Sequence, residues 1–158
     1  MLVLPAQAFG VTPYFAAYPG SPSLREETYR ALLRDLLDSL AGQGFRRFLF
    51  VNGHGGNAAG RPEVGEWAME HPDCRVLWHD WWAGERVRAI VEELDPGAAH
   101  ASWFENFPWT RLPGVELPAE RKEPVRLDTR DPGRVRELLG DGSYGGFYER
   151  PDVDVMRV

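Results

Sequence analysis

Residues 46–60 read RRFLFVNGHGGNAAG. An apolar and aromatic run, Phe48 to Val51, stops at Asn52, and His54 follows among glycines. A run this short and this aromatic is expected to form a strand in the middle of a sheet. The glycines leave His54 with almost no side chains around it. That suits either the phosphates of a nucleotide or a metal ion gripped by the imidazole.

On the amino-terminal side, residues 10–22 (GVTPYFAAYPGSP) are punctuated by Pro and Gly and are expected to form a loop. Ser23 is expected to open a helix, with Glu26 three residues on completing a capping box. Leu24, Leu32, Leu33, Leu36, Leu37 and Leu40 recur at helical spacing, and Gly42 and Gly44 mark its end. On the other side, residues 54–71 are expected to be a loop leading into a second helix. CRVLWHD (74–80) has the pattern of a second strand, and AGERVRAIVEEL (83–94) that of a third helix. Strands alternating with helices imply an α/β fold with a mainly parallel sheet. Ligands in such sheets sit beyond the carboxyl ends of the strands, where His54 falls.

The pattern weakens from residue 98. AAHASWFENFPWTRL (98–112) fits a helix broken by Pro108 or an irregular segment. DPGRVRELLG (131–140) fits a short helix with Pro132 in its first turn, and residues 140–152 form a Gly-rich loop.

The totals exclude several function classes. The chain has 158 residues, enough for one domain with a real core, and a formal charge of -6, which argues against a nucleic-acid-binding face. No apolar run approaches the ~20 residues of a membrane helix, and MLVLPAQAFG lacks the basic start of a signal peptide. Cys74 is the only cysteine, so an internal disulfide is excluded, and a cytoplasmic location is expected. Cys74 itself is expected to be packed in the core. The aromatic clusters VLWHDWW (76–82) and ASWFENFPW (101–109) fit either core or pocket.

Two chemistries fit His54. Gly53, Gly55 and Ala58 match G-x-G-x-x-A, and Asp80 follows the second strand where a dinucleotide fold places its ribose-binding acid. Against this, the His54 ring crowds the approach of a pyrophosphate, and Pro62 and Gly65 interrupt the helix that should follow. Alternatively His54 binds a metal, with small neighbours admitting the ion and Asn52 or Asn57 anchoring the loop.

Three stretches together resemble the creatininase (creatinine amidohydrolase) family: VNGHGGN (51–57), FGVTPYFAAYPGSPSL (9–24) and HASWFEN (100–106). The resemblance implies one three-layer α/β domain over 1–158 with a mainly parallel sheet, incomplete at its N-terminal edge. It also implies a hydrolase cutting a C–N amide bond of a small, cyclic or formyl-bearing substrate, with a Zn, Mn or Fe centre and a homo-oligomeric state. By motif, His54 would be a metal ligand, and Gly55, Gly56 and Asn57 would form the substrate loop. His100 and Glu105 would be catalytic, Glu105 passing a proton between the attacking water and the leaving nitrogen.

The chain departs from the family pattern in places. No E-x-H element precedes His54, Phe15 stands where the family's loop has histidine, and Ser102 and Asn106 replace Gly and Thr. His71, before Pro72, is expected to be exposed. A metal site rebuilt from His54, His79 or Asp80, and Glu105 is a further alternative. The rival to an enzyme is a non-catalytic or partner-completed family member acting as a binding or assembly subunit.

Overall fold

The computed structural model describes residues 1–158 as two units, Met1–Trp81 and Trp82–Val158. In the first, α1 (Glu26–Gly42) leads into β1 (Arg47–Asn52), and α2 (Arg61–Glu70) leads into β2 (Arg75–Asp80). The two strands pair in parallel, with Arg47 opposite Arg75 and Asn52 opposite Asp80. This is the α/β architecture with a parallel sheet that the alternation of strand and helix predicts.

Side chains alternate across a strand, so each strand gives one set of residues to the core. Phe48 and Phe50 of β1, with Val76 and Trp78 of β2, pack against Tyr29, Leu33 and Leu37 of α1 and Val64 and Trp67 of α2. Cys74 lies in the same cluster, packed as expected, and burial pushes its thiol pKa up. Trp67 is fully buried: its Nε1 donates to Asp38 Oδ1 at 2.6 Å, and Phe48 meets its ring edge-on. His71 is not a freely exposed turn residue. It is half-buried, stacked on Trp67 at 4.0 Å, because its Nδ1 donates to the Trp67 carbonyl. The opposite face of the sheet is bare: Leu49, Val51 and Leu77 are more than half exposed, beside Arg47, Arg75 and His79.

The start of α1 differs from the capping-box expectation. The Ser23 hydroxyl accepts from the Thr12 N–H and donates to the Leu24 carbonyl, so it holds a loop rather than a helix end. Arg25 is the N-cap and Glu26 the first helical residue. The Leu24 N–H in turn donates to the Gly10 carbonyl, which seats residues 10–12 beside the helix entry.

In the second unit α3 (Glu85–Leu94), α4 (Pro132–Leu139) and α5 (Asp152–Val155) supply Val87, Ile90, Val135, Leu139 and Val155 to a core completed by Trp103 and Phe104. Residues 98–112 are irregular apart from a single turn at Trp103–Glu105. Trp103 and Phe104 are core, whereas Trp109 is exposed and stacks on Phe107. No helix is long and apolar enough to cross a membrane.

Candidate functional site

β1 and β2 both end on a polar residue at the same register position, and the alternation turns both inward. Asn52, buried, uses all four of its hydrogen-bonding positions. Its Nδ2 donates to Asp80 Oδ1 at 2.7 Å and to the His54 carbonyl at 2.9 Å, while its Oδ1 accepts from His54 N–H and Asn57 Nδ2. Asn57 Oδ1 then accepts from the Val11 N–H, and His54 Nε2 lies 3.0 Å from the Val11 carbonyl. A carbonyl only accepts, so Nε2 carries a proton, and in the neutral ring Nδ1 is the nitrogen with the lone pair.

Asp80 is tied at both oxygens. Trp78 Nε1 donates to Oδ1 at 2.8 Å, and Arg61 lies 3.4 Å from Oδ2. Burial raises its pKa, but the bonds from Asn52 and Trp78 and the Arg61 charge outweigh this and leave it below the usual value. A carboxylate committed this way is not free to bind a ribose hydroxyl, and a turn over Gly55–Gly60 separates β1 from α2. Both observations speak against the dinucleotide reading.

The glycines of the motif divide into two kinds. A Cβ on Gly56 would stand 1.8 Å from the Val11 carbonyl oxygen and 2.6 Å from His54 Nε2. One on Gly60 would strike Leu33 and Tyr29 in the core. Gly53 and Gly55 meet nothing. Space at Gly56 therefore serves the His54–Val11 bond and space at Gly60 serves packing, while only Gly53 and Gly55 open toward the surroundings.

His100 and Glu105 come together in the second unit. His100 Nδ1 lies 2.8 Å from Glu105 Oε1, and the Ala101 N–H donates to Oε2 at 3.2 Å. The bond to Glu105 raises the His100 pKa; partial burial opposes this, and the Glu105 charge adds to the rise. Ala101 adopts φ +57°, a left-handed conformation uncommon outside glycine, and this turns its N–H onto the carboxylate. The Gly-rich loop braces the pair. Tyr144 N–H donates to the His100 carbonyl, Ala99 N–H to Gly145, and Trp103 N–H to Phe147. The loop is itself held by buried Asp95, which accepts from Phe147 N–H and Arg121. The Tyr144 ring lies 5.6 Å from the imidazole. Next door, Ser102 Oγ and Trp103 Nε1 are buried without partners.

A divalent cation was expected at His54, and a catalytic site needs about three protein donors. No group of three or more His, Cys, Asp or Glu residues is placed to hold one. His54 offers only Nδ1, Asp80 is spent on Asn52, Trp78 and Arg61, and His79 lies on the bare face of β2. Within the first unit, His54, His79 and Asp80 do not by themselves supply the three donors an ion needs. The sequence reading missed the Val11 carbonyl, the anchoring role of Asp80 and Tyr144. Only Asp80 carried a signal, since RFLFVN and RVLWHD are equally long and both end on a polar residue.

The sequence model of the Creatininase family, creatinine amidohydrolase, matches residues 1–108. No curated protein sequence matches significantly. Among solved structures, a candidate creatinine amidohydrolase from Bacteroides fragilis NCTC 9343 superposes with a TM-score of 0.70 at 22% identity. The match covers 94% of this chain and 62% of that one, so the chain spans under two thirds of that protein's length.

Proposed function

Because this chain belongs to the creatininase family, we propose that it serves hydrolysis of a C–N amide bond in a small, cyclic or formyl-bearing molecule. The observation that carries the reading is the His100–Glu105 pair. With Nδ1–H donated to Glu105, His100 Nε2 keeps a lone pair and can take a proton from water and return it to a leaving nitrogen. Both Glu105 oxygens already accept hydrogen bonds, so Glu105 orients the imidazole and stabilises its charged form. This assigns proton movement to His100 in place of Glu105. The hydrogen bond from His100 to Glu105 raises the His100 pKa, which makes the neutral imidazole a stronger proton acceptor.

His54 and the Gly55–Gly56–Asn57 loop form a second polar site at the sheet's carboxyl edge, where α/β folds place ligands. No step is assigned to a metal. The lack of a three-donor group supports a second reading, a family member whose site is completed by another chain, in keeping with the self-association implied by the family. The test is ammonia or amine release from small cyclic and formyl amides by the purified chain. Turnover that falls about 10²–10⁴-fold in His100→Ala supports the proposal. Turnover indifferent to His100 rejects the assignment. No turnover until a second family chain is added selects the partner-completed reading.

A further inference from the structure

We propose that the bare face of the β1–β2 sheet docks an amphipathic helix of another chain, one with an aliphatic stripe and carboxylates in its last turn. This rests on the reading of a family member completed by another chain, to which it gives a place and a chemistry, and not on the reaction catalysed.

A parallel sheet is ordinarily buried on both faces. Here α1 and α2 cover one, packed on Phe48, Phe50, Val76 and Trp78. On the other, Leu49 stands opposite Leu77 in the register, and each is 61% exposed; Val51, further along the same face, is 65% exposed. At the strands' amino ends this face carries Arg47 opposite Arg75, both exposed. Like charges so placed repel across strands about 4.8 Å apart. Neither arginine has an ion pair or a side-chain hydrogen bond, and Asp73, close to Arg75 in sequence, is taken by Arg46 at 2.8 Å. The face therefore lacks two things, apolar cover and a negative charge at one end.

One helix meets both needs. From the arginines to Val51 the face runs about 13 Å along the strands, a length that about nine helical residues span. The last turn of a helix leaves carbonyls unpaired and carries partial negative charge, so it suits the arginine end, and carboxylates there add to it. A second copy fits worse. Related by a two-fold axis, it lays its own Arg47 and Arg75 either on the first pair or over the aliphatic end, and this face brings no acid to meet them. Three apolar side chains per copy also fall well short of the about 800 Å² that each partner gives to a stable dimer. The docked helix is accordingly a reversible partner, held by apolar contact and placed by charge.

The ligand for the test is a fluorescein-labelled peptide of about 15 residues, with leucines at i, i+3, i+4 and i+7 and glutamates in its last turn; a twin carries lysines there. Binding to the whole chain is read by fluorescence anisotropy. The unaltered chain should bind the glutamate peptide about tenfold more tightly than the twin, and less tightly as salt is raised. Leu49→Lys should weaken that binding about tenfold or more. Arg47→Glu/Arg75→Glu should exchange the preference, taking the lysine peptide over the glutamate one. Arg86→Glu/Arg88→Glu, the same charge change on exposed residues of α3, should leave binding within about twofold. Equal binding of the two peptides, no binding of either, or equal losses in the two double variants overturns the proposal. So does a dimer of the unaltered chain, or its capture on phosphatidylserine vesicles, that Leu49→Lys abolishes while neither peptide binds. If Arg47→Glu/Arg75→Glu fails to fold, the peptide pair and Leu49→Lys still decide. Amide turnover by the chain alone, without peptide binding, would sink this inference and leave the hydrolase reading standing; binding without turnover would do the reverse.

Discussion

At the level of single residues, His54 was visible because glycines isolate it, but the atom that disciplines it was not. The Val11 carbonyl belongs to the backbone 43 positions earlier and leaves no mark in side-chain chemistry. The glycines give a direct check. Gly56→Ala should destabilise the first unit by about 1–3 kcal/mol, since its Cβ meets backbone that must move. Gly53→Ala, with nothing nearby, should stay within about 0.5 kcal/mol in denaturant unfolding. The folded pKa of His100 is raised, so the Glu105 contact stabilises fully below the unfolded value of about 6.5 and fades as pH climbs through the raised value. An NMR titration should place His100 above its ordinary value, and Glu105→Gln should bring it down. Ser102→Ala, which removes a buried hydroxyl with no partner, should be neutral or stabilising by up to about 1 kcal/mol.

At the level of elements, the strands and the helices α3 and α4 were legible because their periodicity and their stops agree, whereas α2 runs unbroken through Pro62, in its first turn, and Gly65, both expected to interrupt it. Asp131 shows the signal working: its carboxylate accepts from the Arg134 N–H ahead of Pro132 at the start of α4. Asp131→Ala should cost about 0.5–2 kcal/mol of stability, read by thermal unfolding. Ser23 shows where it fails. The local pattern fits a capping box, yet the Thr12 N–H claims the hydroxyl from eleven residues away, and α1 begins at Glu26. Periodicity was equally silent about the irregular stretch around His100. That segment is shaped by hydrogen bonds to residues 144–147 and by one left-handed alanine, neither of which follows a repeat.

For the whole molecule, family membership was legible because VNGHGGN packs several steric and polar requirements into seven residues. The donor count was less so, since it depends on where acids and histidines end up in space. Asp80 illustrates this. By type it is a ligand candidate, and by position it is a brace. Elemental analysis of the purified chain should find no tightly held divalent metal at stoichiometry. Stoichiometric metal lost on His54→Ala would reverse that conclusion.

The uncovered side of the sheet carries a colloidal consequence. Leu49, Val51 and Leu77 form an aliphatic strip, with Arg47 and Arg75 opposite one another in the strand register at one end. Excluded salts such as sulfate strengthen apolar association, so they should drive these strips together before the chain unfolds. Leu49→Lys should raise the ammonium sulfate concentration at which the protein salts out, while leaving its melting temperature nearly unchanged.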